Sequence, residues 1–200
     1  MRIATALAAA SSLAVFYAAP PQPSAAVEAA AAPAKCHRGE TGEPTADSRG
    51  RSSVDAGEIR WEDESKYDDA LAHAHRVWTS GGLDKVKVRP DDASSIADLQ
   101  WRDVNRGDGK WAERGGQWAP HTGADNIYFN DRLLGDRKAY GTKQWRRSVA
   151  VHELGHALGH CHKTINWYLT VLDPDIDNID GITEPTGTDR KNYHALWGRA

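Results

Sequence analysis

Between His152 and His162 the chain reads HELGHALGHCH, and no other stretch restricts the fold as tightly. His152 and His156 stand four residues apart, so on a helix their imidazoles share one face, a turn apart, and can converge on a single metal ion. Gly159 can take the left-handed conformation that ends such a helix, after which the turned chain brings His162 back as a third ligand. His160 continues the four-residue series but lies about 12 Å along a straight helix from His152, out of reach of metal bonds of about 2.1 Å. The segment therefore demands a helix, an abrupt stop and a return. With nine His and 18 Gly in 200 residues, a chance match to its five fixed positions is expected in about one such chain in ten thousand.

Three neutral imidazoles suit Zn²⁺ and leave its fourth tetrahedral position open to water, which marks a catalytic site rather than a closed structural one. Such an ion lowers the pKa of water and polarises a carbonyl, while Glu153 accepts the water proton and passes it to a departing amine. The expected chemistry is hydrolysis of peptide bonds, with His152, His156 and His162 as metal ligands and Glu153 as general base.

The remaining sequence frames this helix. Ala supplies 15 of the first 34 residues, whereas all eight Trp fall between Trp61 and Trp197. Met1-Arg2 followed by the apolar run from Ile3 to Ala19 reads as a secretory signal, and Ser24-Ala25-Ala26 puts cleavage after Ala26. Three segments are expected: residues 1–26 as signal peptide, 27–58 as a linker or short pro-segment without apolar period, and 59–200 as one folded catalytic domain. A net charge of -3 offers no basic surface for nucleic acid or an anionic membrane. The mature chain is expected to be extracellular, monomeric and without stable membrane association. Cys36 and Cys161 are the only cysteines, and an oxidising compartment favours pairing them. The other reading makes Cys36 a thiolate that binds the metal and holds the protein latent.

Ile59-Arg60-Trp61 predicts a short strand, and Ala70, Leu71, Ala74, Val77 and Trp78 recur at helical spacing after a cap at Ser65. Strands follow over 85–89, 99–104 and 125–131, with Ile127 and Phe129 alternating against Asn126, Tyr128 and Asn130, and an irregular edge strand is expected around Trp118. Residues 143–158 form the metal-binding helix. A last helix runs from a cap at Thr188 through Tyr193, Leu196 and Trp197 to Gly198. Asp173, Asp175, Asp177 and Glu184 occupy positions 1, 3, 5 and 12 of an EF-hand-like loop, with Pro174 and Asn178 off pattern; Ca²⁺ binding and a solvated acidic loop are both open. Asp189 and Arg190 either orient the metal loop or are surface charge.

The pattern His152, Glu153, His156, Gly159, His162 resembles the extended HExxHxxGxxH signature of the metzincin zinc peptidases. ADNIYFND at 124–131 and TDRKNYHALWG at the C-terminus are similar to the strand before the zinc helix and the final helix of small matrixin-like members. The resemblance implies an α+β fold, in which a twisted mixed β-sheet lies above a zinc-binding active-site helix and a C-terminal helix follows. It also implies secreted endopeptidase activity on protein or peptide substrates. An extended substrate would add as a strand near Gln117-Trp118-Ala119, and Trp167 and Tyr168 would either line the cleft or belong to the core. One residue departs from the family: its members carry a Met beneath the zinc ligands, where this chain offers Leu172, of similar volume. The alternative is therefore an exported metal-binding relative that has lost turnover.

Overall fold

The computed structural model describes Lys35 and Cys36 and residues 46–92, 96–164 and 169–199. The expected signal peptide, and Trp167 and Tyr168, lie outside the described residues.

Five strands form one mixed sheet: β1 (Glu58–Glu64), β2 (Lys87–Pro90), β3 (Leu99–Val104), β4 (Gly116–Ala119) and β5 (Asp125–Asn130), in the order β2-β1-β3-β5-β4. The β1–β2, β1–β3 and β3–β5 pairs are parallel, whereas β4 runs antiparallel to β5. Among the described residues four α-helices accompany it: α1 (Asp68–Trp78), the single turn α2 (Asp131–Leu134), α3 (Lys143–Ala157) and α4 (Gly187–Trp197). Period-two alternation in β3 and β5 sends Leu99, Trp101, Ile127 and Phe129 to one face, all completely buried. Against that face lie Leu71, Ala74 and Trp78 of α1 and Val151 and Leu154 of α3, in one continuous core. Pro90 closes β2, which is an edge strand and so tolerates the missing amide.

Boundaries differ from expectation where hydrogen bonding, not apolar period, decides them. Strand β1 continues to Glu64 because Glu62, Asp63 and Glu64 pair with β3 on the parallel ladder. Helix α4 is capped by Thr186, not Thr188. The Thr186 hydroxyl accepts from the Asp189 amide while the Asp189 carboxylate accepts from the Thr186 amide, a reciprocal capping box.

The largest correction concerns the expected linker 27–58. From Ala46 onward it is packed structure: a 3-10 turn at Arg49–Arg51 leads into β1, and Ala46, Arg51 and Ser53 are buried. This arm is fastened by backbone bonds to the end of α3, Ser48 N to Gly159 O at 3.0 Å and Ser53 N to Ala157 O at 2.8 Å. Polar anchorage of this kind leaves no hydrophobic period. Cys36 and Cys161 form a disulfide across 125 residues, so Cys36 carries no thiolate with which to close a metal site. No helix among the described residues is long and apolar enough to cross a membrane.

Candidate metal centre

Helix α3 starts at a Thr142 cap, whose hydroxyl accepts from the Trp145 amide. It ends because Gly159 takes a φ of 94°. Only glycine suits that turn, since a Cβ there would lie 2.5 Å from the Ser48 carbonyl oxygen. The chain then doubles back and brings His162 beside His152 and His156, so the three predicted ligands converge, each offering one atom within 4.8 Å of the others.

The ring hydrogen bonds define which nitrogens face inward. His152 Nδ1 lies 2.7 Å from Val171 O and His156 Nδ1 lies 2.7 Å from His160 O. A carbonyl oxygen can only accept, so both Nδ1 atoms carry the proton and both Nε2 atoms present bare lone pairs. Those Nε2 atoms are 3.1 Å apart, and His162 Nε2 is 3.3 Å from that of His152. Lone pairs at that distance repel unless a cation lies between them. Tetrahedral bonds of about 2.1 Å separate their donor atoms by about 3.4 Å, so the spacing fits one divalent ion. Burial lowers the pKa of His152, and lowers that of His156 well below the usual imidazole value. For His162, desolvation in the cleft, then the neighbouring His152 and the cations of Arg114, Arg51 and Lys163, hold the pKa at about 3. All three rings are therefore neutral at physiological pH, the form that binds metals.

Glu153 is buried beside this cluster. Its Oε2 accepts from the Trp118 amide of β4 at 2.5 Å. Burial pushes its carboxyl up to about 8, against the opposing pull of that amide and of Arg114. A cleft of about 480 Å³ opens over the histidines, lined by Gly115, Gly116, Gln117 and Trp118 and by the apolar Val149, Pro174, Ile176 and Ile179. The predicted irregular strand around Trp118 is thus the sheet edge bordering the cleft. It comes this close because Gly116 has no side chain: a Cβ would meet Val149 Cγ1 at 2.7 Å and Glu153 Cγ at 2.9 Å.

Supports around the three histidines come from several elements. Leu172 is buried against Gly155, between His152 and His156 on α3. Asp189 is a buried anchor and not surface charge: it accepts from Thr170 Oγ1 at 2.5 Å and from the Val171 amide at 3.0 Å, fixing the loop whose carbonyl orients His152. Arg190 instead bonds the carbonyls of Pro185 and Gly81. His160 turns away from the cluster, stacking on Trp78 at 5.5 Å with Nδ1 toward Asp47.

Asp173, Asp175, Asp177 and Glu184 do not come together as a metal-holding group; among the described residues only the three histidines do. Asp173 and Asp175 accept from amides two residues on, and Asp177 accepts from Tyr140 Oη, so the loop's carboxylates serve local turns and a side-chain tie.

Sequence reasoning missed Asn130, wholly buried at the end of β5. Its Nδ2 lies within 2.9–3.0 Å of the carbonyls of Arg106, Trp111 and Arg114, and its Oδ1 accepts from the Arg106 amide, which pins the irregular segment leading into β4. It also missed Asp47 and Arg51 in the N-terminal arm. Nothing in a polar, Gly- and Ser-containing stretch signals such anchors, although the pair Gly115-Gly116 was a legible sign of close backbone approach.

No protein-family model matches this chain, and a search of curated proteins finds no similar sequence.

Proposed function

We propose that the chain is a secreted zinc-dependent endopeptidase of metzincin type, with His152, His156 and His162 holding Zn²⁺ and Glu153 as general base. The observation that carries this reading is the pair of unprotonated Nε2 atoms 3.1 Å apart, each oriented by a carbonyl behind it, next to a buried carboxylate in an open cleft. Zinc is the ion that best suits three neutral imidazoles with a position left open. When bound, it supplies Lewis acidity, lowering the pKa of water and polarising a carbonyl.

The chain's own residues do the rest. The outer edge of β4 offers backbone groups on which an extended peptide aligns as a further strand. With its carboxyl at about 8, Glu153 by itself would hold its proton near neutrality. Beside a divalent cation its ionised form is favoured, and Oε1, the oxygen that does not take the Trp118 amide, would then accept a proton from the attacking water and deliver it to the leaving nitrogen. The apolar lining contributed by Val149, Pro174, Ile176 and Ile179 accepts an uncharged side chain of the substrate. The disulfide and the expected signal sequence support an extracellular setting.

The test compares wild type with Glu153→Ala on casein or gelatin, with metal content measured on both. Cleavage by wild type, and none by a variant that retains zinc, is expected. Equal background from both proteins would reject the peptidase in favour of a metal-binding protein without turnover.

A further inference from the structure

Two of the three ligands are oriented by hydrogen bonds at their own rings, His152 to Val171 O and His156 to His160 O. His162 differs. It lies on the exposed side of the cluster, and among the described residues no carbonyl or carboxylate bonds its second ring nitrogen. Its placement therefore depends on the backbone on either side of it.

One carboxylate grips that backbone. Asp47, whose side chain is wholly buried, accepts from the Cys161 amide at 2.9 Å and from Lys163 Nζ at 2.5 Å, and its other oxygen lies 3.2 Å from His160 Nδ1. These partners bracket His162 before and behind, and His160 is also the residue whose carbonyl orients His156. Lys163 is 1% exposed, so its ammonium has little water to fall back on if the carboxylate is lost. The bonds of Ser48 and Ser53 to the end of α3 hold the arm that carries Asp47 in register.

We propose that Asp47 is a positioning residue of the metal centre, acting through residues 160–163 to keep His162 within reach of an ion held by His152 and His156. The arm from Ala46 is then a working part of the site, not a segment whose removal activates it. The proposal rests on the metal-binding reading given above.

The experiment uses the disulfide-bonded secreted chain and measures Zn²⁺ affinity by competition with a chromophoric chelator, the visible spectrum of the Co²⁺-loaded protein, and thermal unfolding. Asp47→Asn keeps the size and one acceptor but loses the charge. The double variant Asp47→Asn with Lys163→Met also removes the stranded ammonium, so it folds more readily. Ile59→Ala serves as a variant destabilised in the core, on strand β1, which carries none of the three histidines. Both Asp47 variants are expected to bind Zn²⁺ about 10- to 100-fold more weakly, with an altered Co²⁺ spectrum, whereas Ile59→Ala keeps the wild-type values. Affinities within threefold of wild type and an unchanged spectrum in the double variant would overturn the proposal, as would an equal loss in Ile59→Ala. Wild type that binds neither metal would instead overturn the metal-binding reading and the proposal with it.

Discussion

Acid should weaken this scaffold through a residue outside the histidine cluster, and the size of the effect follows from one burial. His75 on α1 is 7% exposed, with its ring 4.3 Å from that of Trp61 and 5.5 Å from that of Trp101, and its Nε2 has no hydrogen-bond partner. Burial alone lowers its pKa from 6.5 to about 3. The folded protein thus refuses a proton that the unfolded chain accepts, so stability from this residue is full above pH 6.5 and is lost as pH falls toward 3. Between pH 7 and pH 5 the loss comes to about 2 kcal/mol. Replacing His75 by Leu, similar in volume and without a titrating group, should remove that loss. Urea unfolding of wild type and His75→Leu, both stripped of metal with the disulfide intact, measures it: the metal-site histidines contribute equally to the two proteins and cancel. Wild type should lose about 2 kcal/mol more than the variant from pH 7 to pH 5. Parallel pH profiles would refute the reasoning, because they would mean that His75 takes its proton inside the fold.

Three other outcomes follow from the geometry. Gly116→Ala places a methyl group 2.7 Å from Val149 and 2.9 Å from Glu153; peptidase activity should fall at least about tenfold, or about 1.4 kcal/mol in barrier, with metal content unchanged. Asp189→Ala frees the Thr170–Val171 loop behind His152 and breaks the α4 cap; metal titration should show about 10- to 100-fold weaker binding, and unfolding a cost of about 1 kcal/mol or more. Reduction of the disulfide releases a constraint spanning 125 residues; melting curves with and without reductant should differ by up to about 5 kcal/mol in stability.

The helix of His152 and His156 was legible because its constraints are local: four-residue spacing puts the two on one face, and Gly159 dictates the stop. The strands over Leu99–Val104 and Asp125–Asn130 were legible because period-two alternation survives in their sequences. What escaped is held by polar contacts between residues far apart in the chain. Asp47 reaches Lys163 across 116 residues, and Asn130 ties together a loop with no periodic signal. The α4 cap shows a subtler loss. Thr186 and Thr188 are both capping residues by type, and only the position of Asp189 three residues after Thr186 selects the former. The disulfide was one of two readings at the sequence level, and the juxtaposition of Cys36 and Cys161 decides between them.

The most direct test of the central claim is metal content measured together with chelator-sensitive proteolysis on the purified, disulfide-bonded protein. The account predicts about one zinc per chain, with peptide cleavage abolished by chelation and restored by stoichiometric zinc. Cleavage that survives complete removal of metal, or a chain that takes up no zinc, would contradict it.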